Sequence, residues 1–425
     1  MIDAPYTLLL ILTLMVLVIA ALVAATISAK SVREARMRRH GSRQSAIEPA
    51  LEEYLITGER QAELEALTLR DKDRFLAPLM VERMGFLRGS GRDHIALLAR
   101  HLGLVEKYVN DLAARSRWQR ARAAERLGYF GDETAVGPLA ELLTDEDETV
   151  RAVAARALAR LATEEAVAAL VRTLDDPSEL TRLRVAENLD RVGRLAVPHL
   201  VRLLEESADP ERGDHTYGAI LASQVLGGLR AYEAREAISL AASEGATTNI
   251  RAQATRALGR IGDPDDVPLL MGNARDEEWP VRTQAANSLG LIGDRGSIPV
   301  LQGMISDRAW WVRVAAGRAL VNMGAAGEDA LIELLDSESR FARWRAAAAL
   351  ESRGVTRRLV RELPREDSRG DRAQRAVRAI AASGATRYLR DLADELTEDE
   401  QAALREILAD APLPEAPAVE ITGDE

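Results

Sequence analysis

The chain has 425 residues, of which 29% are charged, 47% hydrophobic and 4% aromatic, with a formal net charge of −11. That acidic balance argues against a dedicated nucleic-acid-binding domain, which is normally basic on at least one face. Cysteine is absent, so disulfide frameworks, thiolate metal sites and thiol nucleophiles are excluded.

Residues 1–5 form a short leader, expected on the non-cytoplasmic side. No charged residue lies between Asp3 and Lys30, and Tyr6 to Ile27 is almost wholly apolar. Residues 6–28 are therefore predicted to be one transmembrane helix, long enough for a hydrocarbon core of about 30 Å. A cleaved signal peptide is the competing reading; Ala24, Ala25 and Ala29 imitate a cleavage site, but no basic residue precedes the apolar run. A basic juxtamembrane linker, 29–44, comes next with Lys30, Arg33, Arg36, Arg38, Arg39 and Arg43, opposed only by Glu34. The positive-inside rule puts that side in the cytoplasm, predicting a single-pass inner-membrane protein whose bulk is cytoplasmic. The same cluster could attract anionic lipid headgroups. Residues 45–117 read as amphipathic helices, including Ala50–Ile56, Asp73–Leu87 and Leu104–Ala114, that cap the long helical segment beginning at Trp118.

From Trp118 onward the chain repeats. A pattern of Arg, small residues at +3 and +4, an aliphatic at +7 and usually Gly or Ala at +11 begins at Arg120, Arg151, Arg182, Arg251, Arg282, Arg313 and Arg343. The third copy reads Arg182, Val185, Ala186, Leu189, Gly193 and the sixth Arg313, Ala316, Gly317, Leu320, Gly324. Copies without the arginine fit at Ala219 and Ala373, with a polar insertion from Ser207 to Thr216, making nine units over 118–396. A fixed period of this length signals a stacked solenoid, because one unit cannot bury its apolar face alone. Within 276–305, Asp276 or Glu277 can cap a first helix, with Pro280 in its first turn. Val281, Ala285, Ala286, Leu289 and Ile292 then recur at helical spacing, and Gly293 suits a left-handed end. Ile298, Val300, Leu301 and Ile305 supply a second helix.

Val150-Arg151-Ala152-Val153-Ala154-Ala155-Arg156-Ala157-Leu158 and Leu258-Gly259-Arg260-Ile261-Gly262-Asp263 resemble HEAT repeats, especially the bacterial subtype named from phycobilisome lyases. The resemblance covers about 118–395 and implies an all-α fold of about nine helical hairpins. Its members include scaffolds, lyases, adaptors and DNA-repair proteins, so it names a fold more firmly than a function.

After the repeats, Thr397 and Glu400 have capping-box spacing before a C-terminal capping helix, 397–410. Residues 411–425 carry Pro412, Pro414, Pro417, Glu415, Glu420, Asp424 and Glu425 and read as a disordered acidic tail.

No catalytic constellation is found. His40, His94, His101, His199 and His215 join no partner at metal-ligand spacing, and no cofactor is expected. The seven anchor arginines are expected to bond a carboxylate or helix-end carbonyl in a neighbouring unit, with Asp132, Asp263 and Asp294 as candidate acceptors; the competing reading is an anion-binding track. Trp118, Trp279, Trp310, Trp311 and Trp344 all lie within three positions of an anchor arginine. They either pack on the preceding loop or form an aromatic ridge for a partner, because Trp and Arg are over-represented at binding hot spots. The expected function is a bacterial, membrane-anchored, non-catalytic scaffold that binds a protein at the membrane's inner face. Proteins of similar layout that accompany membrane glycosyltransferases suggest one such partner. The alternatives are a lyase-like enzyme acting on a chromophore or cofactor protein, and a nucleic-acid binder.

Overall fold

The computed structural model describes residues 15, 26, 30, 45–68, 72–87, 89–207, 216–383 and 386–409. Every regular element among them is helical. No helix among the described residues is long and apolar enough to cross a membrane. The expectation of a single-pass inner-membrane protein is corrected accordingly. The segment that prompted it, 6–28, lies outside the described residues except for Met15 and Thr26, each helical. Of the basic cluster only Lys30 is described; Arg33, Arg36, Arg38, Arg39 and Arg43 are not, nor are the core of the insertion, 208–215, and the tail, 411–425.

The chain divides into two compact bodies, Met1–Ala166 and Val167–Glu425. The N-terminal body begins with helices at 45–57 and Gln61–Thr68, then a π-helical turn, Lys72–Leu76, that runs into Ala77–Met84. Ser90–His101 and Leu104–Asp111 lead to repeat one, Arg117–Phe130 with Val136–Glu141, and to the first helix of repeat two, Glu148–Leu161. The boundary falls in the second helix of repeat two, Glu164–Arg172.

The C-terminal body holds repeats three to nine. Their first helices are Glu179–Val192, Thr216–Gly228, Thr248–Ile261, Trp279–Ile292, Trp310–Asn322, Arg340–Ser352 and Ser368–Ala382. Each is followed by a shorter second helix, from Val197–Ser207 in repeat three to Thr386–Asp391 in repeat nine. Glu398–Ala409 closes the body by packing on Val355–Glu362 and Ser368–Ala382. Its capping box is formed: the Thr397 N–H donates to Glu400 Oε2 at 2.9 Å, and the Glu400 N–H to Thr397 Oγ1 at 3.4 Å.

The repeat pattern explains the stacking. Small residues at +3 and +4, such as Ala154 and Ala155 or Ala285 and Ala286, are fully buried, as are the +7 leucines Leu158, Leu258 and Leu289. Glycine at +8 brings consecutive first helices to backbone contact. A Cβ on Gly128 would lie 2.6 Å from the Ala157 Cα, and one on Gly290 would lie 2.6 Å from both Cα and Cβ of Ala319. The first helices of repeats five and six end on left-handed residues, Gly262 at φ 81° and Gly293 at φ 75°, where a Cβ would collide with the following carbonyl. Repeat two has Ala162 there, at φ 51°. The start of repeat six departs from expectation. Glu278 precedes the helix without a side-chain cap, while Asp276 Oδ1 accepts the Glu278 N–H at 2.8 Å.

Candidate interaction surface

Each anchor arginine sits in the first turn of a first helix, aimed back at the loop that enters it. Nη1 donates to the carbonyls six and, in most copies, five residues earlier. Arg282 reaches Asp276 and Glu277, both at 2.8 Å; Arg313 reaches Asp307 at 2.8 Å and Arg308 at 3.0 Å; Arg343 reaches Ser337 at 2.7 Å and Glu338 at 3.0 Å. Arg182 reaches Asp176 at 2.7 Å and Pro177 at 3.2 Å, and Arg251 reaches Gly245 at 3.3 Å. In the N-terminal body, Arg120 bonds Ala114 and Arg115, and Arg151 bonds Asp145 at 2.8 Å.

Copies one, five and six add a carboxylate 25 residues ahead. Arg120 grips Asp145 at 2.7 and 2.8 Å, Arg251 grips Asp276 at 3.1 and 3.3 Å, and Arg282 grips Asp307 at 2.8 and 2.9 Å. The same aspartates present their carbonyls to Arg151, Arg282 and Arg313, so side chain and backbone of one residue link two successive arginines. Burial alone would raise the carboxyl pKa of Asp145, Asp276 and Asp307. The arginine and a loop N–H donating to each outweigh that and hold it below the usual carboxylate range. In Arg120, Arg251 and Arg282 the protein itself occupies both ends of the guanidinium, which leaves no open fork there for a phosphate track.

The aspartates named from sequence do other work. Asp132 bonds Arg100 at 2.8 Å and caps Thr134; Asp263 accepts the Asp265 N–H; Asp294 stands before the turn Arg295–Ser297. The aspartates that bind the arginines carry a periodic signal of their own. Asp145, Asp176, Asp276 and Asp307 each stand six residues before an anchor arginine.

All five tryptophans are exposed at first-helix starts: Trp118 by 69%, Trp279 by 45%, Trp310 by 45%, Trp311 by 57% and Trp344 by 49%. Trp118 belongs to the N-terminal body, where Arg117 lies 5.2 Å from its ring. In the C-terminal body Trp310 and Trp311 meet edge to face, with ring centroids 4.6 Å apart. Arg345, a residue the sequence did not single out, lies 4.6 Å from the Trp344 ring and 5.6 Å from that of Trp310. It thereby bridges repeats seven and eight, and Phe341 is exposed on the same first turn as Trp344. Among the described residues no ring contact joins Trp279 to this cluster. Burial and the neighbouring Arg313 lower the Arg345 pKa, so its guanidinium is partly stripped of water between the rings.

The family model for HEAT repeats matches at residues 105–190, 142–217, 197–288 and 273–351, together more than half of the chain. The chain belongs to the HEAT-repeat family. No curated protein matches it. Among solved structures, an engineered protein is 20% identical, with 72% of this chain and 99% of that one covered at a TM-score of 0.34. The CpcE–CpcF complex of phycocyanin lyase from a Nostoc species is 21% identical, covering 58% of this chain and 94% of that one at a TM-score of 0.28. The karyopherin Kap121p bound to RanGTP is 14% identical, with 86% of this chain and 49% of that one covered at a TM-score of 0.44. These are likenesses of fold alone. No described group of three or more His, Asp or Glu side chains is placed to hold a metal ion.

Proposed function

We propose that this HEAT-repeat protein is a non-catalytic scaffold that binds a protein partner through the aromatic edge of its C-terminal body. The observation that carries this reading is the Trp310–Trp311 pair, coupled to Trp344 by Arg345 and left open to solvent. Large aromatic rings stay in water at a cost of apolar hydration, and a contiguous group of them is the anatomy of a binding hot spot. A comparison between repeats favours this reading over packing on the preceding loop. Repeats three and five, whose first helices begin at Glu179 and Thr248, are built on the same pattern without a tryptophan.

The test is crosslinked affinity purification of the full chain from its host, beside a Trp310→Ala/Trp311→Ala variant with an unchanged unfolding midpoint. A protein recovered with the parent and lost with the variant supports the docking edge. Equal recovery with both removes the tryptophans from binding. A chromophore on the recovered partner, altered only when this chain is present, would favour the lyase-like alternative instead.

A further inference from the structure

The arginine–aspartate ladder of the C-terminal body stops where the aromatic edge begins. In repeats five and six, Nε and Nη2 of Arg251 and Arg282 grip aspartates that stand six residues before the next anchor arginine. Repeat eight carries Ser337 at that place. Ser337 Oγ accepts the Ser339 N–H at 3.2 Å, as Asp307 accepts that of Ala309, so the loop keeps its turn and loses its carboxylate. Arg313 accordingly holds only the loop carbonyls of Asp307 and Arg308, both through Nη1. The loop into repeat nine restores an aspartate, Asp367, but its carboxylate takes Arg365 at 2.9 and 3.1 Å. Arg343 is left like Arg313, bonded to carbonyls through Nη1 alone.

Arg345 adds a third guanidinium beside these two. It lies 4.6 Å from the Trp344 ring and 5.6 Å from that of Trp310, and Arg313 is near enough to add to the lowering of its pKa by burial. Among the described residues no carboxylate pairs with Arg313, Arg343 or Arg345; Asp336 and Glu338, in the loop between repeats seven and eight, are exposed and reach none of them. The three are half-buried, and none has an unbonded nitrogen closed to solvent. Their free donors therefore face outward, among the exposed rings of Trp310, Trp311, Phe341 and Trp344.

We infer that this edge receives an extended acidic segment of the protein partner, whose carboxylates fill the forks of Arg313 and Arg343 as Asp276 and Asp307 fill those of Arg251 and Arg282. The inference rests on the docking edge proposed above and adds the chemistry of what docks there. A guanidinium meets a carboxylate by two parallel bonds, the geometry already built in repeats five and six. Packed helices stand about 8–10 Å apart, the span of three residues of extended chain at about 3.3 Å each. Acidic residues three apart thus match successive forks, and an apolar side chain between them lies against the tryptophans. A nucleic acid also offers anions and rings, but a chain of net charge −11 repels a long polyanion more than a short acidic segment.

The experiment is fluorescence anisotropy of the full chain, at fixed ionic strength, with fluorescein-labelled Gly-Asp-Phe-Gly-Asp-Gly and its neutral twin Gly-Asn-Phe-Gly-Asn-Gly. The acidic peptide should bind about ten-fold more tightly. Arg313→Gln/Arg345→Gln should abolish that advantage and leave the neutral peptide's affinity unchanged, whereas Trp310→Ala/Trp311→Ala should weaken both peptides. Equal binding of the two peptides by the parent, or an advantage that survives in the arginine variant, would overturn the inference; if the tryptophan variant still loses both, the docking edge stands without its charge preference. Binding of neither peptide also rejects the inference, and leaves the edge to be judged by the affinity purification. A single-stranded oligothymidylate that binds more tightly than the acidic peptide and displaces it would assign the edge to nucleic acid instead. If the arginine variant fails to fold, Ser337→Asp decides: it supplies the carboxylate from within, so loss of the acidic peptide's advantage upholds the inference and an unchanged advantage rejects it.

Discussion

Arg282 and Asp307 form a two-pronged ion pair, Nε to Oδ2 at 2.8 Å and Nη2 to Oδ1 at 2.9 Å, in which the arginine is only 5% exposed. Asp307 Oδ1 also accepts the Ala309 N–H at 2.7 Å, and the Asp307 carbonyl accepts Arg313 at 2.8 Å. One residue thus ties repeat six to the entry loop of repeat seven and to that repeat's own arginine. Removing one partner of a buried pair strands the other, at a cost of about 3–5 kcal/mol. Arg282→Ala should therefore lower stability by about 3 kcal/mol, read as the shift of the urea midpoint. Arg313→Ala removes bonds to loop carbonyls only and should cost about 1 kcal/mol.

Acid should dissolve the ladder. The Asp307 carboxyl has a lower pKa folded than unfolded, so its stabilisation is fully present above the unfolded value of about 3.9 and is lost as pH falls through the folded value. The midpoint should be flat above about pH 5 and drop below about pH 4. The difference between parent and Asp307→Asn should shrink over the same acid range. A difference that stays constant down to acid unfolding would mean that Asp307 is not the titrating link.

Ala162 ends the first helix of repeat two in the left-handed region, at φ 51° and ψ 35°. A side chain there costs about 1–2 kcal/mol that glycine avoids. Ala162→Gly should raise thermal stability by about 1 kcal/mol, because the strain removed exceeds glycine's entropic cost in the unfolded chain.

Gly290 gives the opposite sign from helix propensity. In an open helix Gly→Ala gains about 1 kcal/mol. Here the new Cβ would meet the Ala319 Cα and Cβ at 2.6 Å, and separating two packed helices costs about 1–3 kcal/mol. Gly290→Ala should come out destabilising by urea midpoint. Gly272, with nothing within 4 Å of its Cβ position, should tolerate alanine.

The hairpins were legible because small residues at +3 and +4 and glycine at +11 recur in most copies of the repeat. Arginine's acceptor was not. Asp132 and Asp263 follow the turn glycines and cap the next turn, at the far end of the first helix from the arginine. An arginine in the first turn faces the loop that opens the following repeat, where Asp145, Asp276 and Asp307 stand. Bringing Trp344 to Trp310 needed the face rather than the repeat position. They occupy +1 and −3, four apart and so on one helix face, and Arg345 joins them only once two helices are stacked. The apolar run at 6–28 meets the length and composition rule for a membrane span but lies, Met15 and Thr26 apart, outside the described residues, among which no helix meets that rule.

The exposed tryptophans and the buried arginines should separate cleanly into binding and stability. The most direct test measures both properties on two variants, Trp310→Ala/Trp311→Ala and Arg282→Ala. The tryptophan variant should keep the parent's urea midpoint to within about 0.5 kcal/mol, as exposed substitutions do, and lose the partner recovered with the parent. Arg282→Ala should unfold early yet still bind when folded. A tryptophan variant that unfolds early and retains its partner would contradict the account, placing those rings in the packing of the fold rather than at its working surface.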